Sequence, residues 1–255
     1  MKSKSMFFSL IIAGGLLATS VSGQIGGPPG AAPGMNPALS KLFNALKAFS
    51  ATMEMSVSNE GGSMVISSSY EMSSGLLRVE TDLGSARGGM MPPQAVAQMK
   101  AMGMDRVVTI SLPERKLVLI AYPGLKSYVE MPAPQAETES GATGEDVFVE
   151  SGKEAIDGHP CVKGKMTVRM DQNAKRDLLI WKAADLNGFP VQIQIDDPKG
   201  GMKLLFRHIQ TKEPPASRFA IPEGYTKYGN MQEMMQAAAA KMMQAGGVQM
   251  GGQDQ

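Results

Sequence analysis

Side chains suited to acid–base or nucleophilic chemistry are few in this sequence. The two histidines are His159 and His208, and neither has a recognisable nucleophile context. No G-x-S-x-G elbow, H-E-x-x-H, C-x-x-C, P-loop or dinucleotide-binding fingerprint occurs in the chain. His159 precedes Pro160 in a predicted turn, where polar side chains usually satisfy backbone groups. We therefore predict that the protein is not an enzyme, that it has no catalytic residue and that it needs no cofactor.

The single cysteine, Cys161, has two open interpretations. Simple strand alternation puts it on the same face as Lys163 and Lys165, where the lysines would lower the thiol pKa and make it reactive. Alternatively, Pro160 shifts the alternation and Cys161 is a small buried side chain. We favour burial, because free cysteines are among the most buried residues. A zinc site at His159 and Cys161 would lack two further spaced ligands, so no metal site is predicted.

Methionine is the compositional anomaly, with 22 residues against 8 Phe and 5 Tyr. Met-x-Met pairs such as Met53/Met55 and Met102/Met104 offer the soft thioether ligands that Cu(I) prefers. However, Met53 and Met55 fall on the apolar face of a predicted strand, and methionine also forms adaptable surfaces for hydrophobic ligands. We favour core packing or the lining of a hydrophobic ligand cavity. The predicted cavity-lining residues are Phe49, Met53, Met55, Val57, Met99, Met102, Trp181, Met231 and Met235.

Alternation of apolar and polar residues dominates the middle of the chain and predicts β-strands. The first runs from residue 49 to 58, with one apolar and one solvated face. Asp157-Gly158 and Asn187-Gly188 are hairpin-turn signals between later strands. The other predicted strands are 63–73, 76–81, 106–112, 116–122, 147–156, 161–169, 178–184, 191–196 and 202–210. Short strands at such close spacing predict a mainly β (α+β) fold built on a curved sheet, a sandwich or a barrel.

The hairpin at Asn187-Gly188 has two possible registers. A two-residue loop would pair Lys182 with Ile193 and place a charge on the apolar face. A three-residue bulged loop would instead pair Trp181 with Ile195, because a slip of one residue exchanges the two faces of a strand. We favour the bulged loop.

Helical periodicity marks both ends of the predicted domain. Asn36 is an N-cap residue followed by proline at the first helical position. The apolar face of this N-terminal helix is predicted to be Leu39, Leu42, Phe43, Leu46 and Phe49. A C-terminal helix at 230–245 has its own apolar stripe, formed by Met231, Met235, Ala238, Met242 and Ala245. We expect this second helix to be a loosely held cover or partner-binding element that the fold does not need.

Two insertions interrupt the strand pattern. Residues 84–103 contain a predicted methionine-rich helix at 93–102, and residues 132–146 form an acidic loop.

The N-terminal residues predict export. Lys2 and Lys4 precede a short apolar run at 6–18, followed by small residues, which is the pattern of a secretory signal peptide. We expect a periplasmic or secreted protein with no stable membrane span once the signal is cleaved. The predicted organisation is a signal peptide at 1–23, a Gly/Pro-rich linker at 24–35, a β domain at 36–228, a methionine-rich amphipathic helix at 229–246 and a disordered tail at 247–255.

Taken together, these patterns resemble the periplasmic lipoprotein-carrier superfamily of the LolA/LolB type. The segments that carry the resemblance are Leu39-x-x-Leu-Phe-x-x-Leu-x-x-Phe-Ser-Ala51, Leu179-x-Trp181 with Asn187-Gly-Phe-Pro190, and Phe219-x-Ile-Pro222-x-Gly-Tyr225. They are similar to that superfamily's first helix and strand, its Trp-bearing hairpin and its closing segment. Within the group, the Glu-x-x-x-Gly-x-x-Cys element from Glu154 to Cys161 most resembles a secreted bacterial domain-of-unknown-function family.

The resemblance implies a curved antiparallel half-barrel with an N-terminal helix, whose concave apolar face is closed by covering helices. Members use that cavity for acyl chains or other hydrophobic partners, and related domains act as envelope sensors. The predicted function is therefore non-enzymatic binding of a lipid or another hydrophobic ligand, as in a lipoprotein carrier. The alternatives are an envelope sensor or scaffold that binds protein partners and, third, a Cu(I)-binding protein. With 25 Lys and Arg against 24 Asp and Glu, nucleic acid is not an expected partner.

Overall fold

The computed structural model describes residues 41–133, 147–169, 175–197 and 200–247. The predicted signal peptide, the linker, the start of the first helix, the acidic loop beyond Ala133 and the C-terminal tail lie outside these residues, so those predictions stay predictions. The side chains of Met242 and Ala245 are also outside the description.

Most of the described chain belongs to one β-sheet. Its strands are β1 (Ala48–Asn59), β2 (Gly62–Ser73), β3 (Leu76–Asp82), β4 (Arg87–Gly88), β5 (Arg106–Leu112), β6 (Leu117–Tyr122), β7 (Ser127–Pro132), β8 (Val149–Ile156), β9 (His159–Arg169), β10 (Lys175–Ala183), β11 (Phe189–Asp197), β12 (Gly200–Gln210) and β13 (Thr226–Tyr228). The ten predicted strands are all present within a few residues of their expected ends. Strands β4, β7 and β13 were not predicted.

Within the described ranges two α-helices accompany the sheet, α1 (Pro93–Ala101) and α2 (Met231–Gly247). Both were expected at these places. None of the helices in the described ranges has the length and the apolar composition of a membrane-spanning segment.

The sheet is a pair of antiparallel meanders joined at its centre. Its strand order is β13-β7-β6-β5-β3-β2-β1-β12-β11-β10-β9-β8, with β4 paired to β2. Strand β1 pairs with β12, which lies about 150 residues away in sequence, and so joins the two meanders. In the described chain β8 and β13 form the two open edges, and β13 pairs with β7 in parallel. The predicted curved half-barrel is therefore confirmed, and the described strands form one open sheet rather than a closed barrel or a two-sheet sandwich.

Strand β1 shows why this sheet has two different faces. Phe49, Ala51 and Met53 are buried on one face, which we call the inner face, as the alternation predicted. Thr52 and Glu54 lie on the opposite, outer face. Across the sheet, Met53 pairs with Phe206 of β12 on one side and with Ser68 of β2 on the other.

An aromatic cluster packs on the inner face over the neighbouring strands β2, β1, β12 and β11. Phe43 comes from a 3₁₀ helix (Lys41–Ala45), and its ring centroid lies 5.3 Å from that of Phe206 and 5.5 Å from that of Tyr70. Phe49 and Phe189 complete the cluster, with centroids 4.8 Å apart at an interplanar angle of 71°. Aromatic side chains bury large areas, and tilted contacts of this kind add to the stability.

The prediction that Phe49 belongs to the N-terminal helix is wrong. The described part of that helix is a 3₁₀ helix that ends at Ala45, and β1 begins at Ala48. The helical and strand patterns overlap at Phe49. The strand prevails because Phe49 pairs with Met72 in β2, and an extended backbone satisfies its peptide groups through the sheet.

The two hairpin turns have different outcomes. Asp157 and Gly158 have φ values of 50° and 87° and join Ile156 directly to its partner His159, so the predicted two-residue hairpin is confirmed. At Asn187-Gly188 both predicted registers are wrong. Residues 184–186 form a 3₁₀ turn before Asn187, Trp181 pairs with Gln192, and Lys182 pairs with Pro190 across a bulge.

The C-terminal end of the insertion at 84–103 contacts the turn between β6 and β7. Gly103 has a φ of 69°, and a Cβ on Gly124 would lie only 2.5 Å from the Gly103 carbonyl oxygen. These two glycines therefore allow the chain after α1 to touch the turn between β6 and β7.

The two faces of β1 predict different effects of the same substitution. Met53→Asp should lower the free energy of unfolding by several kcal/mol, because it buries an unpaired carboxylate against the aromatic cluster. Thr52→Asp, one residue away on the outer face opposite Arg207, should change it little. Thermal melts of both variants measure the difference, and equal destabilisation would contradict the assignment of the faces.

Candidate functional site

The strand registers show that the inner face is continuous across the sheet. The residues of one cross-strand row share this face because each is the direct partner of the next. Such a row runs through Phe206, Met53, Ser68, Thr81 and Val107. The neighbouring row, two residues along each strand, runs through Ala51, Tyr70, Val79, Thr109, Ile120 and Val129.

A band of hydroxyl groups divides the inner face between β2 and β5. Ser68 and Thr109 are buried, and the hydroxyl oxygen of Ser68 lies 3.0 Å from that of Thr81. Ser111 continues the band in the next row, opposite Leu77. The inner face therefore has two apolar regions, one on each side of polar groups that can accept or donate hydrogen bonds.

The first apolar region ends in a half-exposed methionine surface, formed by Met55, Met64 and Met202 around Val57. Val57 is the direct partner of both Met64 and Met202, and Met55 precedes it by two residues on the same face. All four side chains are half-buried, in contrast to the buried aromatic cluster in the same sheet. Unbranched thioether side chains adapt to ligands of different shape.

Helix α2 covers the second apolar region, over β5, β6 and β7. Met234 is 1% exposed and packs in a cluster with Val107, Val118, Ile120 and Val129. The predicted stripe omitted Met234. Met231 and Met235 are partly buried against this cluster and Ala238 is buried, as the stripe predicted, but Met234 is the most buried residue of the helix.

The start of α2 is defined by a capping box. The side-chain oxygen of Asn230 accepts a hydrogen bond of 2.9 Å from the backbone N–H of Glu233, and the Glu233 carboxylate accepts one of 3.0 Å from the N–H of Gly229.

The predicted cavity residues are not all brought together. Phe49 and Met53 lie inside the packed aromatic core, Met55 packs against it, and Val57 belongs to the methionine surface. Met231 and Met235 are on the same face of the sheet, on the far side of the hydroxyl band. Met99 and Met102 lie in and just after α1, whose described residues are not buried, and they belong to none of the three core clusters.

Trp181 lies on the opposite face of the sheet from the other predicted cavity residues. Its neighbour Ile180 pairs with Ile193 and so belongs to the inner face, which turns Trp181 outward. There its indole N–H donates a hydrogen bond to Glu154, and the Lys163 ammonium lies 4.9 Å from the ring centroid. The hydrogen bond from Trp181 holds the pKa of the Glu154 carboxyl below its usual range.

Cys161 is buried, as we favoured, but not because Pro160 shifts the alternation: β9 pairs with β10 without a register shift, so Cys161 lies on the same face as Lys163. It is 3% exposed, its thiol donates to the His159 carbonyl oxygen at 3.3 Å, and burial raises its pKa. His159 contacts Asp185, with 2.8 Å between Nδ1 and Oδ2. This contact links the Asp157-Gly158 hairpin to the 3₁₀ turn at 184–186.

Within the described ranges, no three His, Cys, Asp or Glu side chains are grouped so that they could hold a metal ion.

The outer face carries a charged cluster that the sequence analysis did not single out. Arg78 and Glu71 are direct cross-strand partners, and Arg218 reaches them from the 3₁₀ helix Ala216–Phe219. The Nε of Arg218 donates to both oxygens of Glu71 at 3.0 Å, and Nη2 of Arg78 donates to Glu80 at 2.7 Å. A signal was present, since Arg78 interrupts the apolar run of β3, where an unpaired charge would be costly.

A cavity of about 100 Å³ lies beside this cluster, between the sheet and residues 217–225. Its walls combine apolar side chains with polar groups, and the two arginines contribute its charge. The lining residues are Arg78, Val108, Ile110, Ala121, Pro123, Ser217, Arg218, Ala220, Ile221, Pro222 and Tyr225.

No protein-family model matches the chain, and no curated protein matches it. Among solved structures, the lipoprotein LppX of Mycobacterium tuberculosis aligns with 75% of this chain and 100% of its own, at 13% identity and a TM-score of 0.42. A LolA superfamily protein from Nitrosomonas europaea aligns with 71% of this chain and 96% of its own, at 11% identity and a TM-score of 0.34.

The MucA/MucB complex of Pseudomonas aeruginosa also aligns, over 74% of this chain and 61% of the matched chain, at 12% identity and a TM-score of 0.39. The Nitrosomonas protein belongs to the superfamily that the sequence resembles.

The burial of Cys161 predicts slow thiol chemistry. In the native protein a thiol reagent such as 5,5′-dithiobis(2-nitrobenzoate) should react at least tenfold more slowly than in denaturant, because the thiol is enclosed and its raised pKa disfavours the reactive thiolate. The cysteine-to-alanine variant is the blank, since Cys161 is the sole cysteine. Equally fast labelling in the native state would show that the thiol is accessible.

Proposed function

We propose that this protein is a non-enzymatic binding protein for a hydrophobic ligand, such as the acyl chain of a lipid, which it holds against the inner face of the sheet. The observation that carries the proposal is the division of that face into a packed aromatic core, a half-exposed methionine surface and an apolar region under α2. The half-exposed methionine surface contributes less to stability than the packed core, and we interpret it as the part of the face that a ligand covers.

The methionine surface supports an apolar ligand of variable shape. Met55, Val57, Met64 and Met202 adjoin a core that is already packed, so a ligand laid over them removes their remaining apolar area from water. Each buried methylene group of such a ligand contributes about 0.8 kcal/mol. An acyl chain of moderate length can therefore bind without specific polar contacts.

The hydroxyl band supports a ligand that also has a polar part. Ser68, Thr81 and Thr109 lie at the middle of an otherwise apolar face, where a few placed polar groups can fix the orientation of a bound molecule. An ester or amide group between the two apolar regions would meet these hydroxyl groups.

Helix α2 supports a covered site that can open. The helix is attached to the second apolar region through Met234, with Met231 and Met235 beside it, and makes no part of the aromatic cluster. Its detachment would expose Val107, Val118 and Ile120 while leaving the central core intact. Elements with few buried contacts open at low free-energy cost.

Mass spectrometry of the native protein, purified from the compartment to which it is exported, tests this function directly. Co-purified lipid or another hydrophobic molecule is the expected result. Bound copper in place of lipid would favour the Cu(I) alternative, with the thioethers of the methionine surface as the ligands. A co-purified envelope protein and no lipid would favour the scaffold alternative.

A charge placed on the methionine surface should weaken ligand binding without unfolding the protein. Val57→Asp should reduce the affinity for the fluorescent probe N-phenyl-1-naphthylamine about tenfold, because a carboxylate at this half-buried position must lose water when an apolar ligand covers it. The control is Ser56→Asp, next in sequence and on the outer face, which should bind the probe like the wild type. Equal affinity in both variants would place the probe elsewhere.

Removal of residues 229–255 should leave a folded protein with an uncovered second apolar region. Losing the burial of Met234 should cost about 2 kcal/mol, which corresponds to a fall in the thermal midpoint of roughly 4–8 °C. Probe fluorescence should rise, because Val107, Val118 and Ile120 become accessible. Loss of the cooperative melt would contradict the description of α2 as a cover, since it would make the helix part of the essential core.

A further inference from the structure

Strand β8 is an open edge of the sheet within the described chain, and it combines unpaired backbone groups with exposed apolar side chains. Val147 and Val149, at 59% and 60% exposure, are the exposed large hydrophobic residues among the described ones. The first lies just before β8 and the second begins it. An open edge of this kind is a template for a further strand.

The hairpin shows which backbone groups of β8 point to the open edge. Ile156 and His159 flank a two-residue loop, so they form the hydrogen-bonded pair next to it. Hydrogen-bonded and non-hydrogen-bonded pairs alternate along an antiparallel ladder. Counting back from Ile156, the N–H and C=O groups of Ala155 and Lys153 therefore point away from β9 and toward the open edge.

A bulge places two opposite charges on the same face of this strand. Glu150 pairs with Gly164 on the inner face, and Ser151 is the extra residue of the bulge that follows. Because of this extra residue, Lys153 also lies on the inner face, although it is three positions from Glu150. Both side chains are exposed, and neither forms an ion pair with another residue that the structure describes.

These features fit a second copy of the same strand in one antiparallel register. When Glu150 of each copy lies opposite Lys153 of the other, a two-fold axis passes between Ser151 and Gly152. The bulge then keeps inner-face residues opposite inner-face residues along the whole pairing. A slip of one residue would instead set Glu150 opposite Glu154 or Gly152, which belong to the outer face.

We propose that β8 is the interface of a two-fold symmetric dimer, in which the β8 strands of two copies pair antiparallel and join the two sheets. Backbone hydrogen bonds from Lys153 and Ala155 hold the strands together, and Glu150 of each copy forms an ion pair with Lys153 of the other. In the same register Val147 of one copy comes next to Ile156 of the other. The interface does not depend on the proposed hydrophobic-ligand site, which lies on other strands.

A lysine and a bulge also occur on edge strands that keep a protein monomeric. In β8, however, the register that the bulge permits brings a carboxylate to each lysine, so the lysine no longer repels a second copy. The charges of this strand therefore favour pairing with itself over protection of the edge.

Sedimentation velocity of the wild-type protein over a range of concentrations tests the proposal. We expect a monomer–dimer equilibrium with a dissociation constant on the order of 10 µM, since pairing of two short strands buries a small interface. Amide hydrogen exchange at Lys153 and Ala155 should slow as the protein concentration rises. A single monomeric species at about thirty times that concentration, or a dimer in which these two amides exchange as fast as in the monomer, would overturn the proposal.

Charge-reversal variants locate the interface, and they change exposed side chains that the fold does not need. Lys153→Glu and Glu150→Lys each set like charges opposite one another twice in the dimer, so each should weaken self-association about tenfold or more. An equimolar mixture of the two variants should dimerise like the wild type, because every pair in the mixed dimer again has opposite charges.

The control is Lys203→Glu, which makes the same charge change at an exposed position of the central strand β12 and should dimerise like the wild type. A mixture that dimerises no more strongly than either charge-reversal variant alone would show that the interface is not formed by β8 in this register.

Discussion

The aromatic cluster at the junction of the two meanders is the interaction on which the rest of the structure depends. Phe49 of β1 and Phe206 of β12 belong to parts of the chain separated by more than 150 residues, and Phe43 packs across both. The chain has one cysteine, so no disulfide can join these halves. Burial of the rings must instead offset the entropy of closing so long a loop, which grows slowly with its length.

Once this junction is closed, each face of the sheet has its own cover. On the inner face α2 covers β5 to β7 through Met234, and on the outer face Phe219 packs against Ile110 and Leu119. The two covers follow each other in the chain, joined by the edge strand β13, which pairs in parallel with β7. The C-terminal part of the chain therefore wraps one edge of the sheet, and this arrangement forms both the apolar region under α2 and the cavity beside Arg78.

Electrostatics acts differently on the surface and beneath the outer cover. Pairs such as Lys165–Asp177 and Lys227–Glu130 are short, at 2.6 Å, but at least one member of each is more than half exposed, and exposed pairs contribute little to stability. Arg78 is nearly inaccessible, so the carboxylates around it must compensate the loss of its hydration. The cost of burying it explains why the carboxylates of Glu71 and Glu80 both lie beside its guanidinium.

Local pattern predicted most of the secondary structure. Alternating residues identified ten strands, because a half-buried strand needs its apolar residues at every second position. Asp157-Gly158 identified its hairpin, because both positions need a positive φ that Asp and Gly adopt readily. The burial of Cys161 followed from its residue type, and the positions of α1 and α2 followed from the spacing of apolar residues. These features depend on neighbours within a few residues, which the sequence displays directly.

Tertiary structure alone decided which of these residues meet. The pairing of β13 with β7 is parallel and nonlocal, so the alternation of residues along the sequence does not predict it. Trp181 lies on the outer face because a 3₁₀ turn and a bulge replaced the shorter loops considered for Asn187-Gly188, and one residue of slip reverses every side chain. Met234 is more deeply buried than Met231, because the angle at which a helix packs on a sheet determines which of its adjacent apolar positions is buried. Glu71 of β2 pairs with Arg78 of β3 and also with Arg218, which lies 147 residues later in the chain, and only the folded sheet brings those charges within reach of one another.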